Sequence, residues 1–465
     1  MNRPRYVPDE PIAAIATALA PGAIGIVRAS GKNSITLFSR IFSRAEAVMR
    51  APGNSLVHGW IVNPALPEKE RRIDEVMAAV YRSPRSFTGE DMVEIFCHGG
   101  ISVVTAVFSL LLENGFRKAE RGEFTFRAYV NGKTDLTRAE AVKEIIDSKT
   151  DSSRSRAAGR LCGSLFNQID SVKKLILDTL SAIEVEIEYP EDEETVSDSF
   201  DPSFLEQAQK QLSDLASSWR AEKIYQDGAK VVLCGKTNAG KSSLFNSLLK
   251  EERAIVSSTE GTTRDWLESW ADFSGIPVRL FDTAGIRSTD DAVEAKGVEL
   301  AKDLSAGADV ILYLVDASAG ISADDISFME SHPAVPLILV LNKCDKAEIS
   351  NVTEMKKAWR ETAAVSAKSG AGIESLILKI KKLILGTEFT EREQAGLGSE
   401  RQKNSVEEAL ERITHALEIS RTASYGLDAV VQDLEDALAS LGEVTGEVSP
   451  DDVLETIFSR FCVGK

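Results

Sequence analysis

Gly235-Lys236-Thr237-Asn238-Ala239-Gly240-Lys241-Ser242 decides the fold of the central part of this 465-residue chain. It fits G-x-x-x-x-G-K-[ST], follows the apolar run Lys230 to Cys234 and opens the helix-like run Ser243 to Leu249. In that strand-to-helix setting the glycines turn backbone N–H groups inward around phosphate oxygens, and the helix N-terminus adds its positive dipole end. Lys241 is placed to reach β- and γ-phosphates, and the Ser242 hydroxyl to ligate Mg²⁺.

Three further runs read as strands of the same sheet. Pro277 to Phe281 ends in Asp282-Thr283-Ala284-Gly285, where an aspartate at a strand end serves the Mg²⁺ shell and the glycine lets backbone approach a γ-phosphate. Val310 to Val315 follows, then Val335 to Leu341 leading into Asn342-Lys343-Cys344-Asp345. Guanine presents N1–H and an N2 amino group side by side, and one carboxylate, Asp345, accepts both. Adenine offers no such pair and would leave the carboxylate unpaired. Asn342 suits the base's other edge, the Lys343 stem its face, and Ser366-Ala367-Lys368 a closing loop. The order of these motifs predicts a Ras-like, doubly wound α/β domain that binds GTP at the carboxyl ends of its strands. The contacts expected are Asn238, Ala239, Gly240, Lys241, Ser242 and Ser243 in the loop, then Ser257, Thr262 and Thr263. Asp282, Thr283, Ala284, Gly285, Asn342, Lys343, Asp345, Ser366, Ala367 and Lys368 complete them.

The position after Gly285 is Ile286, which cannot orient a water as a glutamine there would. Lys241, Thr263, Gly285 and Glu294 are the candidate catalytic residues, with Thr263 completing the Mg²⁺ shell. Glu294 reads either as a water positioner or as a solvated helix-face carboxylate. Transition-state charge falls to Arg264, Arg287 or a monovalent cation held by the Asn238 side-chain carbonyl.

The chain is too long for one core, and its net charge of −18 disfavours an autonomous nucleic-acid clamp. Five dispersed cysteines without a C-x-x-C pair suit a reducing cytoplasm. Pro21-Gly22 breaks the Ala-rich N-terminal run, and no apolar stretch of about 18 residues or more follows, so a soluble protein without membrane attachment is expected.

On either side of the nucleotide-binding block, apolar residues recur at spacings of three and four. They are Leu161, Leu165, Ile169, Val172, Ile176, Leu180 and Ile183, then Leu205, Ala208, Leu212, Leu215 and Trp219. Val406, Leu410, Ile413 and Leu417 follow the block, then Leu427, Val431, Leu434, Leu438 and Leu441. The two flanks either form one helical bundle interrupted by the inserted domain or stand as two modules. Ser449-Pro450-Asp451 reads as a helix start with proline at the first position. The expected organisation is an α+β domain at 1–125, helices at 126–220, the inserted GTPase domain at 221–384, and helices with the tail at 385–465.

Phe87-Thr88-Gly89-Glu90-Asp91-Met92-Val93-Glu94, Cys97-His98-Gly99-Gly100, the run Gly22 to Gly31, Gly122 to Ala128 and Asn131-Gly132-Lys133 resemble the N-terminal domain of the MnmE (TrmE) family. The tail Arg460-Phe461-Cys462-Val463-Gly464-Lys465 resembles that family's F-C-[IVL]-G-K ending. The resemblance covers essentially the whole chain. It implies a homodimer with a folate-binding and dimerising N-terminal domain, a helical domain and a potassium-activated GTPase domain. It also implies a flavoprotein partner, MnmG (GidA), in a heterotetramer or larger complex. Together they install a carboxymethylaminomethyl-type group on the wobble uridine of certain tRNAs, using a one-carbon unit from a reduced folate. By resemblance, Arg28, Glu94, Lys133 and Lys465 contact folate. Asn238, Ser257, Thr259 and Thr262 surround K⁺, and Glu294 helps position water.

On the residues alone, Arg28 is a strand-end surface charge, Glu94 an alternating strand residue and Lys133 a turn lysine. Cys462 stays open between redox or nucleophilic chemistry and support of the folate pocket. Given the acidic charge, tRNA is expected to be held mainly through the complex. A regulatory switch GTPase would need neither folate nor the tail. A membrane-remodelling GTPase would need a membrane-facing segment that is not found.

Overall fold

The computed structural model describes residues 10–188, 202–251, 267–282, 307–357, 359–386, 396–421 and 427–465. In chain order its elements are β1 (Ile12–Ile15), β2 (Ile24–Ser30), α1 (Ser34–Ser39), α2 (Ala45–Arg50), β3 (Ser55–Val62), β4 (Arg72–Tyr81), β5 (Met92–His98), α3 (Ile101–Glu113), β6 (Arg117–Lys118) and α4 (Glu123–Val130). Helices α5 (Leu136–Asp147), α6 (Asp151–Leu161), α7 (Ser164–Glu188) and α8 (Ser203–Asp227) follow. Next come β7 (Ala229–Gly235), α9 (Lys241–Glu251), β8 (Leu267–Phe273), β9 (Ile276–Asp282), β10 (Val310–Asp316), α10 (Ala323–Glu330), β11 (Leu337–Asn342), α11 (Ile349–Met355), β12 (Thr362–Ala364) and α12 (Ile373–Leu385). The chain ends with α13 (Glu400–Ser420), α14 (Leu427–Thr445) and α15 (Asp451–Ser459). Contacts divide it into two compact units.

The first unit comprises Met1–Lys143, Phe166–Gln209 and Glu408–Lys465. Its sheet runs β3-β4-β5-β2-β1-β6, antiparallel except for the β1–β6 pair. Alternation puts Val76, Ala78 and Val80 of β4 and Val93, Ile95 and Cys97 of β5 on one face, where they join Phe38, Val104 and Leu111 in a core. The Cys97 thiol donates to the Gly25 carbonyl at 3.3 Å, and burial pushes it up to about 11, so it stays protonated near neutrality.

The helical segments of this unit bury one stripe each. On α7 the stripe is Ile169, Val172, Ile176 and Ile183; on α13 it is Ile413, Ala416 and Leu417. Polar bonds join segments on either side of the inserted block. Gln209 Nε2 donates to Thr414 Oγ1 at 2.9 Å, and Arg421 Nη2 to Glu206 Oε1 at 2.8 Å.

Three details depart from the sequence pattern. Leu161 ends α6 and is exposed, so the α7 stripe starts at Leu165. The α14 seam is Val430, Leu434, Ala437, Leu441 and Val444, with Val431 and Leu438 only half-buried. Ala437 is fully buried although small, and a search for large residues overlooks it. Pro450 is the cap of α15 and not its first helical residue.

The second unit comprises Glu144–Leu165 and Lys210–Glu407. Its sheet runs β12-β11-β10-β7-β9-β8, parallel except for β8 against β9. Strands β10 and β11 are buried along nearly their whole length, as parallel strands covered on both faces must be. Helices α9 and α12 contribute to the core on one face, and α10 and α11 to that on the other. Strand β7 pairs with β9 on one side and β10 on the other, so its carboxyl end lies at the point where the chain winds away in both directions.

A buried charge cluster ties distant segments of this unit together. Arg160, 1% exposed, pairs with Glu144 at 2.6 Å and Glu222 at 2.9 Å, and donates to the Gly396 carbonyl at 3.2 Å. Glu222 also accepts from Arg156 at 2.5 Å and from Gly396 N at 3.1 Å. The carboxylates are compensated, so the cluster holds α5, α6, α8 and the segment before α13 in one arrangement. Nearby, Thr150 caps α6 and donates its hydroxyl to Gly275 O at 2.8 Å in the β8–β9 turn.

Candidate functional site

The phosphate loop leaves β7 at Gly235, whose φ of 131° only glycine adopts readily and whose added Cβ would strike the Leu314 carbonyl. Asn238 sits at φ 65° and Gly240 at φ 96°. A side chain at Gly240 would collide with the Asn342 amide, so this glycine is required by the approach of the base-reading loop. Lys241 begins α9, only 9% exposed, with Nζ donating to the carbonyls of Gly235 at 2.7 Å and Lys236 at 2.9 Å. Ser242 Oγ donates to Asp282 Oδ2 at 2.9 Å, and Asp282 is buried at the end of β9. A hydroxyl and a carboxylate in contact at this point form a hard oxygen donor set, which fits Mg²⁺.

Asn342 ends β11 and is 1% exposed. Its Nδ2 donates to Ala239 O at 2.8 Å, while Oδ1 accepts from Lys343 N at 2.9 Å and Ala367 N at 3.1 Å. One side chain therefore joins the phosphate loop, its own turn and the Ser366-Ala367-Lys368 loop. An amide NH₂ carries two hydrogens, and among the described residues only one of them is bonded, to Ala239 O. Lys343 lies at φ 61°, a left-handed conformation that costs a non-glycine residue roughly 1–2 kcal/mol. Its Nζ donates to Asn238 O at 2.7 Å and Asp316 Oδ2 at 2.7 Å. Burial pushes the Asp316 carboxyl up, but hydrogen bonds from Lys343 and Ser318 outweigh it and hold it down at about 2. A hydrogen bond from the Ser366 hydroxyl lowers the Asp345 carboxyl further below the ordinary range.

These groups line a cavity of about 650 Å³ that includes Gly240, Ser243, Asn342, Lys343, Asp345 and the loop from Ser366 to Gly370. Asn246, Ser247 and Lys250, one turn further along α9, line it as well and carried no motif in the sequence. Asp316 was missed too; its only signal is an aspartate at a strand end beside a phosphate loop. Ser257, Thr259, Thr262, Thr263, Arg264, Thr283, Ala284, Gly285, Ile286, Arg287 and Glu294 lie outside the described residues.

The first unit brings together a second set. Arg28 pairs with Glu94 at 2.5 Å, donates to Gly464 O at 3.0 Å, and lies over the rings of Phe124 and Phe87 at 5.2 and 5.5 Å. Tyr81 OH donates to the other Glu94 oxygen at 3.2 Å. The tail packs beside them, with Phe124 N bonded to Lys465 O at 3.2 Å and Gly122 N to Cys462 O at 3.5 Å. A side chain at Gly464 would meet Ile15 O at 2.8 Å, which accounts for glycine there. Cys462 is exposed, and Lys133 is an exposed residue whose Nζ donates to Pro84 O at 3.0 Å. Arg28 is thus neutralised by Glu94, and its visible work is to hold the tail. Lys133 and Lys465 carry the charge suited to an acidic ligand. Among the described residues, no helix is long and apolar enough to cross a membrane.

The chain matches the model of the MnmE helical domain over residues 136–462 and that of the GTP-binding protein TrmE N-terminus over residues 11–133. It is 51% identical to the tRNA modification GTPase MnmE of Treponema denticola, covering 99% of both chains. The protein of the same name from Treponema pallidum is 42% identical over the whole of both chains, and that from Carboxydothermus hydrogenoformans 40% identical over 98% of this chain and all of its own. A phosphate loop joined by Asn342 to the turn from Asn342 to Asp345 is in keeping with those matches, and the chain belongs to the MnmE (TrmE) family.

Proposed function

We propose that this chain is a GTP hydrolase acting in tRNA modification, activated by K⁺ and working as a homodimer with a flavoprotein partner on wobble uridine in the cytoplasm. The observation that carries the reading is the joining of the phosphate loop, the turn at Lys343 and the Ser366–Lys368 loop by the Asn342 carboxamide, around one cavity that Asp345 also lines. The loop amides and Lys241 bind the phosphates, Lys241 exchanging its bonds to Gly235 and Lys236 carbonyls for phosphate oxygens. Asp345, whose carboxylate also accepts from Ser366, accepts the two guanine donors. Ser242 and Asp282 would hold Mg²⁺, and the Asn238 side chain would contribute to a K⁺ site. These cations, when bound, offset phosphate charge.

The Arg28–Glu94–tail cluster supports a reduced-folate site in which Lys133 and Lys465 meet the ligand's carboxylates. Cys462 is exposed beside that cluster and either takes part in the chemistry or supports the pocket. With a net charge of −18, the chain would repel a polyanion at long range, so the partner supplies most of the tRNA-binding surface.

The test is GTP turnover in matched KCl and NaCl, with and without Asn238→Ala. Faster turnover in K⁺ that Asn238→Ala abolishes is expected. Equal rates in both salts, collapsing only on substitution of Arg264 or Arg287, would overturn the cation assignment. Titration calorimetry with a reduced folate tests the second site, and absence of heat with the intact protein would overturn it.

A further inference from the structure

The loop after β10 meets the phosphate loop directly at its far end and through Lys343 at its near end, and no sequence motif announces it. Lys236, the second residue of the phosphate loop, donates to Ser322 Oγ at 2.5 Å and lies 3.5 Å from Asp325, at the capped start of α10. Asp316, at the other end of the same loop, pairs with Asn342 in the β10–β11 register. Its two oxygens do different jobs. Oδ1 accepts from Ser318 N at 2.9 Å and Ser318 Oγ at 2.6 Å, closing the turn. Oδ2 accepts from Lys343 Nζ at 2.7 Å, and the same ammonium reaches the Asn238 carbonyl. A lysine stem is flexible and its ammonium is a point charge, so a fixed carboxylate is what holds it in one place. Both residues it links, Lys343 and Asn238, are in left-handed backbone conformations that need such support.

We propose that Asp316 is a positioning residue for guanine-nucleotide binding: through Lys343 it fixes the Asn238 carbonyl and so couples the base-reading turn to the phosphate loop. This rests on the GTP reading of the cavity. Asp316 touches no nucleotide itself, so its loss should accelerate release without changing the preference for guanine over adenine, which Asp345 sets.

The experiment measures the affinity and dissociation rate of a fluorescent GDP analogue on the full chain, for wild type, Asp316→Ala, Ser318→Ala, Lys343→Met and the double variant Asp316→Ala/Lys343→Met. Asp316→Ala is expected to weaken binding roughly 2- to 5-fold, the range of a partly exposed charged pair. The guanine preference should stay intact, and the double variant should bind no worse than Lys343→Met alone. Ser318→Ala, which removes a bond to Oδ1 but spares the contact to Lys343, should behave as wild type. Wild-type release from Asp316→Ala, losses that add in the double variant, or a Ser318→Ala variant that reproduces the defect would each overturn the proposal. A wild-type chain that binds no guanine nucleotide would overturn the reading of the cavity itself and this inference with it.

Discussion

Replacing Asn342 by alanine isolates the residue on which the nucleotide site is hung. Its carboxamide satisfies three backbone groups at 2.8, 2.9 and 3.1 Å, in the phosphate loop, the base-reading turn and the closing loop. The side chain is 1% exposed, so the carbonyl of Ala239 and the amides of Lys343 and Ala367 would lose their partner where water reaches poorly. Each orphaned group costs about 1–3 kcal/mol, and water entering the gap recovers part, so a net loss of roughly 3–5 kcal/mol is expected. For a unit of about 150–250 residues, that corresponds to a fall in melting temperature of roughly 6–20 °C. Differential scanning calorimetry of the full chain reads the transition of the nucleotide-binding unit, and amide exchange followed by mass spectrometry locates the damage. Faster exchange is expected in peptides covering 339–345 and 365–371, with none in peptides from β2 to β5. A melting shift below about 2 °C, or unchanged exchange in both peptides, would refute the reasoning that one buried amide joins the three loops.

Arg160→Met should destabilise the second unit by about 3–5 kcal/mol, because Glu144 and Glu222 would be left buried without it. Calorimetry reads this, and converting both glutamates to glutamine in the same chain should recover part of the loss. Glu123 links acid stability to the first unit. Burial raises its carboxyl, but Arg117 and Arg127 outweigh it and hold the folded value below the ordinary 4.5. Its contribution is therefore present above 4.5 and is lost as pH falls through the lower folded value. Urea unfolding at stepped pH should show the wild type losing stability below 4.5 more steeply than Glu123→Gln, and parallel curves would contradict this.

Legibility in the sequence followed the range of the interaction. Strand, phosphate loop and helix are consecutive, so Gly235 to Ser242 announced their own geometry. The turn Asn342 to Asp345 was legible because its chemistry is carried by adjacent residues at a strand end. The partner of Lys343 was not, since Asp316 reaches it only once β10 and β11 lie in parallel register. Arg160 reads as a surface charge by residue type. It is buried because segments near 144, 222 and 396 converge on it. Arg28 holding the Gly464 carbonyl spans 436 residues, and no local pattern encodes it. On α14 the buried positions Val430 and Ala437 each lie one residue before the large Val431 and Leu438 that the apolar spacing picks out, because side-chain size does not mark a buried alanine.

The central claim is that this cavity is built for guanine, and competition binding tests it most directly. Labelled GTP bound to the full chain is displaced by unlabelled GTP or ATP, in the wild type and in Asp345→Asn. GTP should displace far more effectively than ATP in the wild type, and the gap should shrink in Asp345→Asn, because an amide cannot accept both guanine donors. Equal displacement by ATP and GTP in the wild type would contradict it.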